Sequence, residues 1–331
     1  MKEIEVSVVI PIRNEEKYIK KCIESVLEQD YPKEKIEVNL VDGASEDRTV
    51  KIIKQYQEKY DFIHLFLNPN KTVQTALNIG IENSNGKYIV RMDAHSEYAK
   101  NYITKCIEYL KKTGADNVGG PMCAEGKTEM QKVIAAAYHS KFALGGGKFH
   151  DKNYEGYADT VYLGAYKKKT IEAIGLYDEN FPRSEDDELN LRILENCGKI
   201  FITPEIQSIY YPRDNIKDLF RQYFEYGEWK VAVIKKHKKP ARLSHLVPMC
   251  FVLFLLLFGI MSIFLHPIRL VFFVVILCYL GLDCFSSFCN KELKQISMKL
   301  LLVYIHFVIH MAYGLGFCYG IIKIKQEVKN A

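Results

Sequence analysis

No Cys-x-x-Cys pair occurs in this 331-residue sequence, although it holds nine cysteines. An odd number of scattered thiols excludes a disulfide framework and a cysteine metal cluster, and free thiols fit a reducing compartment. Tryptophan is nearly absent, with Trp229 alone. The first strand-like run, Val6–Ile10, has no long apolar stretch before it, so no secretory signal is expected and the bulk of the chain should stay in the cytoplasm. No repeat of fixed period is visible. Neither sign of charge dominates: 45 Lys and Arg against 40 Asp and Glu leave a net +5. Without a uniformly basic face or block, no nucleic-acid partner is expected. Disorder is excluded by 48% apolar and 26% charged residues.

Up to about residue 210, strand-like and helix-like segments alternate. Val6–Ile10 reads as a buried strand, Val38–Val41 as a second ending at Asp42, Ile63–Phe66 as a third, and Tyr88–Met92 as a fourth ending at Asp93. Asn14 is a candidate cap for the first helix, with Glu15 and Glu16 in its first turn and Ile19, Cys22, Ile23, Val26 and Leu27 at helical spacing. Ser45 caps a helix to about Tyr60. Thr72–Asn83 is a third helix, closed by Gly86. A helix over about 101–112 and a short strand near Asn117–Gly120 follow. The rhythm predicts an α/β fold, a mainly parallel sheet with helices on both faces. Ligands in such sheets bind beyond the carboxyl ends of the strands, where Asp42 and Asp93 both stand. Residues 130–211 are less regular: a helix Met130–Phe142, a glycine run Gly145–Gly147, a tyrosine-rich stretch and a helix from near Glu185 to Asn196. A further helix spans about Ile216–Lys236.

The tail changes character. Residues 246–265 are apolar and long enough to span a bilayer, as are 268–287, which carry Arg269 and Asp283 near their edges, and 300–322. The expected division is therefore 1–240 for a cytoplasmic domain and 241–331 for a membrane region of about three hydrophobic helices. Lys235, Lys236, Lys238, Lys239 and Arg242 place the start of the first span inside, and Lys291, Lys294 and Lys299 fit the inside as well. Lys323 and Lys325 would then fall outside, against the same rule. Two of the three helices have the alternative of being re-entrant or interfacial.

Five segments carry candidate chemistry. In Pro11-Ile12-Arg13-Asn14-Glu15-Glu16 a buried strand runs into a proline turn; this is either plain strand-to-helix punctuation or a nucleotide pocket in which Glu15 accepts hydrogen bonds from base or ribose. In Val41-Asp42-Gly43, Asp42 ends a strand and Gly43 lets a ligand approach the backbone, although Asp-Gly is also a common turn pair. In Arg91-Met92-Asp93-Ala94-His95, a carboxylate and an imidazole two residues apart can reach one divalent cation, and such a cation would neutralise a diphosphate leaving group. In Glu185-Asp186-Asp187-Glu188, helix-dipole complementarity accounts for one or two acids. Four together repel, raising the pKa of at least one, which suits a general base. Leu219–Lys230, with Arg221, Gln222 and Trp229, reads either as an amphipathic helix on a membrane surface or as a sugar-stacking platform with Arg221 or Gln222 near phosphates.

In this order the segments resemble glycosyltransferase family 2, with its GT-A fold. The likeness covers residues 5 to about 235 and rests on VSVVIPIRNEE, VDGASEDRT and SEDDELNLR. RQYFEYGEWK stands where many members carry Gln-x-x-Arg-Trp and matches it imperfectly. The tail is similar to that of membrane-bound exopolysaccharide members of the succinoglycan type. The resemblance implies a multi-pass cell-membrane enzyme with a cytoplasmic catalytic domain. It implies inverting transfer from a nucleotide-diphospho-sugar, commonly a UDP-sugar, with Mn²⁺ or Mg²⁺. By that likeness Pro11, Arg13, Glu15 and Asp42 line the nucleotide pocket; the platform reading adds Arg221 and Gln222 on the donor side and Trp229 on the acceptor side. Asp93 matches the first aspartate of the family's Asp-x-Asp motif. His95 stands in place of the second, and imidazole suits Mn²⁺ and softer ions better than Mg²⁺. Asp186 matches the catalytic base, flanked by Glu185 and Asp187. The expected acceptor is a lipid-linked glycan, with polysaccharide-assembly proteins as possible partners. Two alternatives stand beside this: a non-catalytic partner in a polysaccharide assembly complex, favoured by the missing second aspartate, and transfer to polyprenyl phosphate, where a base matters less.

Overall fold

The computed structural model describes residues 3–238 and 242–330, with side chains through Lys323. Lys239 and the side chain of Lys325, both invoked for topology above, lie outside the described residues. By packing, the chain forms two compact units, 1–123 with 148–210, and 124–147 with 211–331.

The first unit is built on an eight-stranded sheet. Val6–Ile12 lies between Ile36–Asp42 and Tyr88–Arg91 and is parallel to both; Ile63–Leu67 continues the parallel half beyond Ile36–Asp42. The sheet is mainly parallel, as expected, and its antiparallel pairings lie in the other half. Tyr162–Lys167, read from sequence only as a tyrosine-rich stretch, runs antiparallel between Tyr88–Arg91 and Asn117–Gly120. Ile200–Ile202 is parallel to Asn117–Gly120 and antiparallel to Gly156–Tyr157. The unforeseen strands are short, and their aromatic residues lack the aliphatic run that marks a buried parallel strand.

Side chains alternate across the first strand. Val6, Val8, Ile10 and Ile12 pack with Ile19, Cys22, Ile23 and Val26 of one helix and with Ile103, Cys106, Ile107 and Leu110 of another. Val9 points to the opposite face, among Leu77, Ile81, Leu189 and Ile193. Helices therefore cover both faces, as the rhythm required.

Three helix ends differ from expectation. Asn14 does not cap the first helix, which runs Ile19–Leu27; it adopts φ 55° and turns toward a neighbouring loop. Ser45 does not cap the second, which starts at Thr49. Gly86 closes no helix. It passes so near the first strand that a Cβ would sit 2.6 Å from Ser7 N. The expected Met130–Phe142 helix is two pieces, Glu129–Tyr138 and Lys141–Leu144.

In the second unit, these two helices join Ile216–His237 and three apolar helices. The apolar helices are long and apolar enough to cross a membrane: Leu243–Phe264, His266–Phe288 and Ile296–Lys323. Ile216–His237 meets the third of these at backbone distance. A Cβ on Gly227 would lie 2.1 Å from Tyr313 O, and one on Gly316 2.0 Å from Phe224 O. Small residues at such a seam let two helix backbones touch.

Gly80 does the same work in the first unit, where a Cβ would fall 2.4 Å from Val9 Cγ1. Gly80→Val should therefore lower unfolding stability by about 1–3 kcal/mol through overpacking. Chemical denaturation of the purified protein checks this, and an unchanged midpoint would contradict the close helix–sheet contact.

Candidate active site

The parallel register places the ends of Val6–Ile12 and Ile36–Asp42 level, with Ile12 opposite Asp42. The loops that follow are zipped together. Gly43 N donates to Ile12 O at 2.8 Å. Asn14 N donates to Ser45 Oγ at 2.8 Å, and Asn14 Oδ1 accepts from Glu46 N at 2.9 Å. Glu15 N donates to Thr49 Oγ1 at 2.8 Å, and Glu16 N to Asp47 Oδ2 at 3.1 Å. Asp42 is buried, and its two oxygens take the Ser45 N–H at 3.0 Å and the Ser45 hydroxyl at 2.5 Å. Asn14 and Ser45 thus serve loop-to-loop contacts in place of helix caps. Pro11 is the penultimate residue of the strand, opposite Val41, and Arg13 just beyond its end is exposed.

The next strand brings Arg91 and Asp93. Arg91 is buried, with 7% of its side chain exposed, and it gathers three carboxylates. Its Nε donates to Asp93 Oδ1 at 3.3 Å, its Nη1 to Asp186 Oδ1 at 2.5 Å, and both Nη atoms lie 3.5 Å from Glu185 Oε1. Asp93 and Asp186, far apart in sequence, are thereby held to one cation. Burial works against the charge on Arg91, but Asp186, Asp93 and Glu185 outweigh it and keep the guanidinium protonated.

Asp186 lies in the first turn of Glu185–Glu195, after Ser184 at φ 60°. Its acidic neighbours separate by role. Glu188 is fully buried and paired with Arg192, at 2.8 Å to Nε and 2.7 Å to Nη2. Asp186 keeps 32% of its side chain open to solvent. Burial of the carboxyl raises its pKa to about 7, with Glu185, Asp93 and Asp187 adding to the rise and Arg91 opposing it. Four neighbouring acids thus supply one structural ion pair and one carboxyl with a neutral-range pKa. The Tyr177 hydroxyl stands 3.4 Å from Asp186 Oδ1 and 3.3 Å from the Tyr166 hydroxyl. Asn78 pins the Tyr177 backbone from both sides, at 2.9 Å each.

His95, on the loop after Asp93, stands with Nδ1 3.5 Å from Glu15 Oε1. The predicted metal pair and the predicted nucleotide loop therefore meet. Among the described residues no three His, Cys, Asp or Glu side chains form a metal-holding group. The protein donors on offer are one carboxylate and one imidazole, both partly exposed. That set fits an ion whose other ligands are diphosphate oxygens and water.

The other predicted residues belong to the second unit. Arg221 is exposed. Gln222 accepts from the Tyr138 hydroxyl at 3.1 Å and donates to the Tyr226 hydroxyl at 3.1 Å. Trp229 has Lys323 Nζ 5.6 Å from its ring centre.

The pairing of Arg91 with these carboxylates and the place of Tyr177 and Tyr166 beside them were not expected from the sequence. The available signal was an arginine in an otherwise apolar strand, which demands buried partners. Arg91→Met should leave Asp186 and Asp93 without their counter-charge. We expect a stability loss of about 3 kcal/mol, the low end for breaking a buried pair because Asp186 is partly solvated. Thermal unfolding at neutral pH measures it, and a wild-type transition would mean the cluster is not coupled through Arg91.

A glycosyl transferase family 2 profile matches residues 7–166. The Methanococcus voltae dolichyl N-acetyl-alpha-D-glucosaminyl phosphate 3-beta-D-2,3-diacetamido-2,3-dideoxy-beta-D-glucuronosyltransferase is 32% identical over 332 residues, covering 98% of this chain and 99% of that protein. The Rhizobium meliloti succinoglycan biosynthesis protein ExoA is 30% identical over 244 residues, 73% of this chain and 74% of its own. Among solved structures, the mannosyltransferase PcManGT from Pyrobaculum calidifontis, in complex with GDP-Man and Mn2+, aligns with TM-score 0.59 at 15% identity, over 95% of this chain and 86% of that one. That likeness carries the fold, a GT-A α/β sheet. With a full-length relative at this identity, the chain belongs to glycosyl transferase family 2 and is a glycosyltransferase.

Proposed function

We propose that this enzyme moves a sugar from a nucleotide-diphospho-sugar to a hydroxyl of a lipid-linked glycan at the cytoplasmic face of a membrane, inverting the anomeric centre. The observation that carries the reading is Asp186, a partly open carboxyl with a pKa near 7 tied through Arg91 to Asp93. The acceptor oxygen bonds to the anomeric carbon, the bond from that carbon to the diphosphate oxygen breaks, and the acceptor proton goes to Asp186. One base and one displacement suffice, and Glu185 and Asp187 tune that base. The donor nucleotide sits on the zipped rim of Pro11, Arg13, Glu15 and Asp42. A divalent ion held by Asp93 and His95 would supply charge neutralisation for the departing diphosphate. The full-length relative supports the acceptor class, since its name describes a dolichyl-phosphate-linked sugar as substrate. The Mn2+ in the PcManGT complex supports a divalent cofactor. The functional boundary is proposed near residue 240, with the apolar helices as membrane anchor. A hydroxyl acceptor is favoured over a polyprenyl phosphate because a pre-ionised acceptor has no use for a base tuned to neutral pH.

Asp186→Asn should retain donor binding and lose about 10²–10⁴ in turnover, the share usual for a positioned base. Because the folded pKa is raised, the carboxylate form accumulates as pH rises, so wild-type turnover should climb through about pH 7. Near-normal, pH-flat transfer by the variant would overturn the base assignment.

Chelation by EDTA should abolish donor binding, with Mn²⁺ restoring it better than Mg²⁺ because position 95 is an imidazole. His95→Asp should narrow that preference. Calorimetric titration of the donor with each metal reads this out, and equal restoration by both ions in the wild type would remove His95 from the metal site.

A further inference from the structure

The third apolar helix is as long as a membrane span, but its contacts follow a different path. The first two helices, of 18 and 23 residues, make arms of about 27 and 34 Å. They turn back at Leu265 and run antiparallel, so the start of one and the end of the other lie at the same end of the hairpin. Phe251 and Tyr279, with ring centres 4.4 Å apart, fix the level there.

The third helix touches the hairpin at that level. His306 Nδ1 is 2.6 Å from Asp283 Oδ1. His310 Nδ1 is 2.9 Å from the Tyr279 hydroxyl. Gly314 lies against the first arm, where a Cβ would be 2.4 Å from Pro248 O and 2.5 Å from Val252 Cγ2. From His306 to Gly314 is about 12 Å of helix axis, comparable to the ~8–10 Å between packed helices. The third helix thus passes sideways from the second arm to the first and gains little depth along the hairpin.

Beyond Gly314 it runs beside Ile216–His237. The backbones meet at Gly227, Gly316 and Gly320, and Lys323 Nζ bonds Glu228 Oε1 at 2.8 Å. That neighbour carries Lys217, Asp218, Arg221, Glu225, Glu228, Lys230, Lys235 and Lys236, a charge load that hydrocarbon does not accept. Wherever this helix stays, residues 315–323 stay. The burial agrees: 50% of the apolar window of the third helix is buried in protein, against 6% for each hairpin arm.

We infer that only the hairpin Val247–Phe288 enters the membrane, and that Ile296–Lys323 is a crossbar that stays on the side of Ile216–His237. The inference rests on the membrane anchorage proposed above. Its partner is the bilayer: acyl chains around the hairpin, and anionic headgroups opposite Lys235, Lys236, Lys238, Arg242, Lys291, Lys294 and Lys299 at its open end. With the crossbar in place, Lys323 no longer violates the distribution of positive charge.

Protease protection tests it on the full chain, tagged at the N-terminus in one version and at the C-terminus in another. In sealed inside-out vesicles from a bacterial host, both tags should be digested, and both should survive in intact spheroplasts. A C-terminal tag digested from outside spheroplasts, with the N-terminal tag protected, would show a third crossing and overturn the crossbar alone. Release of the chain from vesicles by alkaline carbonate would overturn the membrane anchorage itself, a separate result.

Discussion

The Arg91 guanidinium is enclosed by protein and cannot shed its charge, so its surroundings must supply anions. Asp93, Glu185 and Asp186 do so. Much of the first unit follows from that demand. The strand Tyr88–Arg91 must end where the Glu185–Glu195 helix begins, and the Tyr177 hydroxyl stands between the same carboxyl and the Tyr166 hydroxyl. The competition at Asp186, burial and like charges against one cation, leaves it poised near neutrality. The ion cluster and the neutral-range carboxyl are one and the same arrangement.

The paired loops beyond Val6–Ile12 and Ile36–Asp42 rest on a second principle, backbone polar groups satisfied by neighbouring loops. Register makes two strands end together, and the loops beyond them have no ladder partners of their own. Asn14, Ser45, Asp47 and Thr49 fill that gap with side chains. The result is one hydrogen-bonded edge, which His95 meets through its contact with Glu15.

In the second unit, glycines decide what touches what. Gly227, Gly316 and Gly320 let a charged helix and an apolar one meet at backbone distance. Asp283, His306 and Ser287 are fully buried between apolar helices. Polar groups in such places tie helices together because no water is available to replace their partners.

The parallel half of the sheet, the helices on both faces and the strand-end aspartates were legible in the sequence, because aliphatic runs and helical spacing are local patterns. So were the acidic segment and the three apolar helices. The antiparallel strand Tyr162–Lys167 was not, since its partners come from elsewhere in the chain. Asn14 and Ser45 matched a cap pattern, but a loop distant in sequence offered their backbone and side chains better partners. The family likeness singled out Asp186 among four consecutive acids, but their partners escaped the sequence: Arg192 claims Glu188 and Arg91 claims Asp186. Composition alone made the last helix a span, and its neighbours made it a crossbar. Local chemistry determined which elements form and which residues could react; long-range contacts decided the charge each carries and the place each element takes.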